Sequence, residues 1–175
     1  MKGFSRRLCV VVLACVFCRE AASSTVSAVT VPLAKAISDS RLIVVGSVEE
    51  ISEHRFSSAR NKMVTVRYFA VRIEEVLKSR ESAPGSLIGR KIAILDPQEF
   101  FYQEEADLIA AGVISFVDAR YPTKVQQIAA GDRLIFFLAG PESAGKLSLP
   151  DAHFLVCGSA YDTLATKHGV LKQLR

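Results

Sequence analysis

Three kinds of side chain in this chain of 175 residues are reactive enough to suggest a site: histidine, paired carboxylates and cysteine. The histidines, His54, His153 and His168, are far apart, and no two stand at metal-ligand spacing. A tetrahedral zinc centre needs three or four converging donors, so they read as solvated or structural groups. Glutamates are adjacent at Glu49-Glu50, Glu74-Glu75 and Glu104-Glu105. A working acid/base pair must share one space, whereas neighbours on a strand point to opposite faces. The first two pairs therefore make no dyad, and the third fits the solvated face of a helix. The stretch "AGPESAGK", residues 139–146, resembles a phosphate loop only in part, because Lys146 is followed by Leu147 and the spacing departs from G-x-x-x-x-G-K-[ST]. It reads as a turn. Gly-x-Ser-x-Gly is absent, as is any paired Cys-His arrangement. Cys157 lies in the apolar run "HFLVC" and reads as a small core residue with an inert thiol. The expectation is a chain with no catalytic, no cofactor-binding and no metal-binding set. The alternative is a hydrolase or protease inhibitor whose site gathers scattered residues such as His54, Glu53 and Asp96.

Nucleic-acid binding by stacking calls for exposed aromatics in a basic groove. Here Tyr68, Phe69, Phe136 and Phe137 are interleaved with aliphatics, and the chain has no Trp. They read as core, and no nucleic-acid partner is expected.

The elements that would position any site are mainly strands. Leu33, Ala36 and Ile37 recur at helical spacing behind Pro32, predicting a short helix ended by "SDS". "RLIVVGSVEEIS", residues 41–52, predicts a first strand bent or bulged at Gly46. The polar "EHRFSSARNK" separates it from a second, "MVTVRYFAVRIEEVLK". In that strand the apolar positions are even at Val64, Val66 and Tyr68, then odd at Phe69, Val71 and Ile73. The change of parity predicts a bulge or strong coiling, as in a small closed sheet. "RKIAILD" predicts a third strand, and residues 99–111 a helix with Phe101, Leu108 and Ile109 on one stripe. "VISFV" fits a short edge strand, "GDRLIFFLAGP" a fourth strand between two turns, and "HFLVCG" a fifth strand that includes Cys157. The final "HGVLKQLR" fits a short strand or helix. Three strands, a helix and two strands is the element order of a five-stranded OB-like Greek-key barrel, the alternative being a β-sandwich.

At the N-terminus Lys2, Arg6 and Arg7 precede an uncharged apolar run of 11 residues, Leu8 to Cys18. A membrane span needs about 20, so residues 1–23 read as a removable export signal, with cleavage between Cys18 and Ser24. The alternative is a lipoprotein anchored at Cys15, since "VLAC" resembles a lipobox. The chain has 22 basic and 18 acidic side chains, and without the three bases of residues 1–18 the balance is 19 against 18. The apparent basicity thus disappears with the signal. Cys9, Cys15 and Cys18 leave with it, so Cys157 stays alone and cannot form an intramolecular bridge. A remainder of about 150 residues buries roughly two-thirds of its unfolded surface without such staples. Residues 24–175 are expected to form a single domain.

The phrases "SRLIVVGSVEEI", "VTVRYFAVRIEEVLKS", "GRKIAIL" and "GDRLIFFLAG" resemble a group of exported bacterial proteins. Their barrel is similar to the netrin and tissue-inhibitor-of-metalloproteinase module, and the likeness spans residues 33–140. It implies fold rather than chemistry. The animal inhibitors chelate a protease zinc through an N-terminal cysteine, and no favoured cleavage site leaves one here. The resulting expectation is an exported, non-enzymatic binding module for a protein or glycan partner, with no cofactor and no stable membrane span.

Overall fold

A computed structural model describes residues 29–57, 63–80, 84–96, 119–140, 149 and 151–175. The expected signal at 1–23, the helix at 99–111 and the "VISFV" strand lie outside the described residues, as does nearly all of the "AGPESAGK" turn. The elements are β1 (Val29–Thr30), α1 (Leu33–Asp39), β2 (Leu42–Ser57), β3 (Met63–Ser79), β4 (Lys91–Leu95), β5 (Ala119–Arg120), β6 (Arg133–Gly140), β7 (Ala152–Leu155), β8 (Tyr161–Thr163) and α2 (Lys167–Gln173). Short 3-10 turns occupy Pro84–Leu87 and Leu164–Thr166. The chain is mainly β. Among the described residues no helix is long and apolar enough to cross a membrane.

One sheet carries the architecture. β2 pairs antiparallel with β3, β3 with β4, β6 with β7 and β6 with β2, while β4 and β7 run parallel. The pairings therefore return to their start in a barrel-like ring of five strands, β2-β3-β4-β7-β6. β2, β3 and β4 form a meander and β6 comes back beside β2, which is the Greek-key order. A sandwich would need two separate packed sheets, and here one sheet curves onto itself. Among the described residues β8 pairs only with β6, and β1 pairs parallel with β5; none of these three short strands was expected from the sequence.

Closure depends on bending the long hairpin. β2 and β3 have 16 and 17 residues, and their register slips between Ile43 and Val44, between Val45 and Gly46, and between Val48 and Glu50. Each slip adds twist. The expected irregularity at Gly46 is therefore present, and a Cβ built there would lie 2.4 Å from Val71 Cγ1. Only glycine lets the two strands approach so closely.

Three expectations are corrected or refined. The polar "EHRFS" is not a spacer but continues β2 to Ser57, so His54 stands on a strand and not in a turn. Opposite charges face each other there, with Glu53 across from Arg67. The parity change near Tyr68 and Phe69 is accompanied by a bulge in the facing strand, at Glu49 opposite Ala70 and Val71, while β3 itself keeps its register from Met63 to Ala70. Two hydrophobic clusters on opposite faces use the two parities. Phe69, Val71 and Ile73 belong to the main core, whereas Val66 and Tyr68 pack with Ala93, Leu95, Ala152 and Phe154. Finally, Cys157 lies two residues past the end of β7.

The main core is densest at β6. Leu134 to Leu138 are all buried, including the adjacent Phe136 and Phe137, so both faces of this strand are covered. Phe136 meets Tyr161, and Phe137 meets Tyr121 with ring centroids 5.3 Å apart. α1 buries Ala36 and Ile37, α2 buries Val170, and the Lys167 ammonium on α2 is 2.5 Å from Glu75 on β3. The last segment is thus a helix.

Candidate functional site

The face of the ring opposite the main core holds a shallow groove. Strand register builds its floor: Glu50 pairs with Ala70, Ala70 with Ala93, and Ala93 with Ala152, so one row of small residues crosses β3, β4 and β7. On one side of this row stands the half-buried Tyr68, paired with Ser52, and on the other Arg72 pairs with Lys91. Leu149 and Asp151, from the stretch between β6 and β7, close the end. The enclosed space is about 240 Å³. That is below the roughly 300–1,000 Å³ of a pocket for a whole drug-sized ligand, and suits one unit of a longer one.

The bulge at Glu49 determines which acids reach this face. Val48 pairs with Val71 and Glu50 with Ala70, leaving Glu49 as the extra residue. Alternation fails at a bulge, so Glu49 and Glu50 are both exposed between the buried Val48 and the partly buried Ile51. Neighbours on a regular strand would have been separated, and the expectation that this pair faces opposite sides is corrected here. Their environments differ. The Arg72 guanidinium bonds Glu49 and, against an opposing desolvation, holds its carboxyl below the usual carboxylate range, with help from Lys91 at 3.4 Å. Glu50 accepts a bond from the Ser52 hydroxyl.

The rim is pinned. Asp151 adopts φ 49°, a left-handed conformation that aspartate tolerates. Its carboxylate takes a bond from Arg90 Nη2 at 2.9 Å, and its carbonyl oxygen accepts the Ala93 N–H at 3.1 Å. The groove is therefore held at β4 before any ligand arrives.

A second polar group lies buried at one end of the ring. Asp162 accepts bonds from the Tyr121 hydroxyl at 3.0 Å, the Thr166 hydroxyl at 2.9 Å and the Thr163 N–H at 2.7 Å. Burial, with the neighbouring Asp162 charge, pushes the Tyr121 hydroxyl well above its ordinary value. Burial likewise raises the Cys157 thiol to about 11, although a Tyr121 backbone bond opposes the shift. This group is closed to solvent and ties segments together.

The scattered residues weighed as a site do not form one. Glu53 and His54 are consecutive on a regular part of β2 and so face opposite sides. Asp96 is buried just beyond β4 and accepts the Ser159 N–H at 3.3 Å. His153 is buried in β7, and His168 lies on α2. Among the described residues no group of three or more His, Cys, Asp or Glu side chains is placed to hold a metal ion. Phe69, Phe136 and Phe137 are core residues as expected, while Tyr68 is the aromatic that reaches the groove. Its signal in the sequence was the parity change, which places apolar residues on an outward face. Comparison with family models gives no match to this chain, and comparison with curated proteins gives none either.

Proposed function

We propose that this protein is an exported, non-enzymatic binding module that holds a glycan against the outer face of β3 and β4. The observation that carries the reading is the half-buried Tyr68 ring beside the alanine row, with Glu50, Lys91 and Asp151 around it. A sugar ring stacks on an aromatic face while its hydroxyls meet charged acceptors and donors at the edge. Both strands beneath the groove are already paired on each side. An extended peptide therefore finds no free edge to extend the sheet there. By analogy of fold alone, five-stranded Greek-key barrels bind oligosaccharides on this same face and on its flanking loops.

Export is part of the proposal. It is supported by the basic stub before the apolar run Leu8 to Cys18 and by the single cysteine left after residue 18. The likeness of the strand phrases to exported proteins of the netrin and tissue-inhibitor type belongs to the same reading.

The test is retention on a panel of immobilised glycans, with Tyr68→Leu as the control because it keeps apolar contact with Leu95 and Phe154. Wild-type protein retained by a glycan that does not retain the variant supports the proposal. Equal retention of both, or of neither, overturns it, and release of new reducing ends turns it toward a hydrolase.

A further inference from the structure

The charges around the groove are unequally compensated. Three charged residues line it: Glu50, Lys91 and Asp151. Lys91 is paired with Glu49 at 3.4 Å and Asp151 with Arg90 at 2.9 Å. Glu50 has the Ser52 hydroxyl and, among the described residues, no cation. A hydroxyl donor leaves the carboxylate charge in place. Among the described residues the groove therefore offers one negative charge without a cation beside the Tyr68 ring, and both features attract the same kind of group. A carboxylate pairs with an ammonium, and the π-face of a tyrosine attracts a cation within about 6 Å.

Resting on the glycan reading above, we infer that the preferred ligand is an amino sugar with a free, protonated amine, whose ammonium meets Glu50 while its ring lies on Tyr68. The volume of about 240 Å³ suits a single sugar unit. Register sets the spacing, because Glu50 and Ser52 face Ala70 and Tyr68, two residues apart on the same face of β3. Two residues along a strand span about 7 Å, which is the scale of one sugar ring and its substituent. The ion-paired Asp151 and Lys91 are left to bond hydroxyls. An acetylated amine would place a neutral amide against Glu50 and lose the charge interaction.

Calorimetric titration with β-1,4-linked glucosamine tetramer and its fully N-acetylated counterpart, in mildly acidic low-salt buffer, tests this. The free amine should bind about two- to five-fold more tightly than the acetylated sugar, as expected for one exposed ion pair. Glu50→Gln should remove that preference, bringing the two affinities together, and added salt should shrink it. Equal affinities that Glu50→Gln does not alter overturn the amine inference and leave the glycan reading standing. No binding of either tetramer by protein that is retained on the glycan panel overturns the amine inference alone, and no binding on either overturns both. Tighter binding of oligolysine than of the glucosamine tetramer overturns the sugar and assigns the cation to a peptide.

Discussion

Glu50 stands directly opposite Ala70 across the β2–β3 hairpin, and the unpaired residue beside it, Glu49, is what turns both carboxylates outward. This two-against-one pairing gives Glu49 to Arg72 and Lys91 and leaves Glu50 at the groove. The division of roles follows from one extra residue in a strand. Deleting Glu49 should remove the bulge and leave Glu50 opposite Ala70, because Val48 and Glu50 then alternate as Val71 and Ala70 do. The folded deletion variant is expected to keep glucosamine-tetramer binding. Loss of that binding would show that Glu49 itself, and not the register of Glu50 with Ala70, is needed at the groove.

Gly46 should be intolerant of any side chain. A Cβ there would meet Val71 Cγ1 at 2.4 Å and the Arg72 carbonyl oxygen at 2.9 Å. One of these is backbone, so the hairpin itself must shift. Gly46→Ala should cost about 1–3 kcal/mol, the usual penalty of overpacking, read from urea unfolding. A change below about 0.5 kcal/mol would mean that the strands separate there without strain.

The principal strands were readable because each is a run of β-branched or aromatic residues bounded by turns, as "KIAIL" and "RLIFFLAG" show. Gly46 was readable because a glycine inside such a run has few other uses. The two-residue strands β1 and β5 were not, since Val29 and Thr30 acquire their conformation only from Ala119 and Arg120, far along the chain. "EHRFS" hid as a spacer because its polar residues sit on a part of the hairpin where one face is exposed. The groove was invisible for a related reason. Its parts come from β2, β3, β4 and the stretch before β7, and no local pattern announces that Tyr68, Ala93 and Asp151 will meet.

Tyr121 and Asp162 should behave as a structural tie. Tyr121→Phe removes the hydroxyl that donates to a buried carboxylate at 3.0 Å. The expected loss is about 1.5–3 kcal/mol, typical of a bond to a charged group. Binding at the groove should be unaffected. A variant of wild-type stability would indicate that water replaces the hydroxyl at Asp162.

Cys157 should be inert in the folded chain. Its thiol is raised to about 11 from an ordinary value of 9.0, chiefly by burial. Its thiolate fraction at pH 7 is then about a hundred-fold below that of the unfolded chain, and modification by a thiol reagent should slow at least that much. The protonated thiol is favoured by the folded state, so its contribution to stability is complete below pH 9.0 and is lost as pH rises through about 11. Cys157→Ala should flatten the fall in stability across that window relative to wild type. Rapid labelling of native protein at pH 7 would instead mark an exposed, activated cysteine.

The most direct test of the central claim is a map of backbone amide shifts by heteronuclear NMR as glucosamine tetramer is added to the protein. Saturable shifts should concentrate at Glu50, Tyr68, Ala70, Lys91, Ala93 and Asp151, six of the residues that line the groove, and should vanish in Tyr68→Leu. Shifts centred on Tyr121, Cys157 and Asp162, or none at roughly millimolar sugar, would contradict an amino-sugar site on the outer face of β3 and β4.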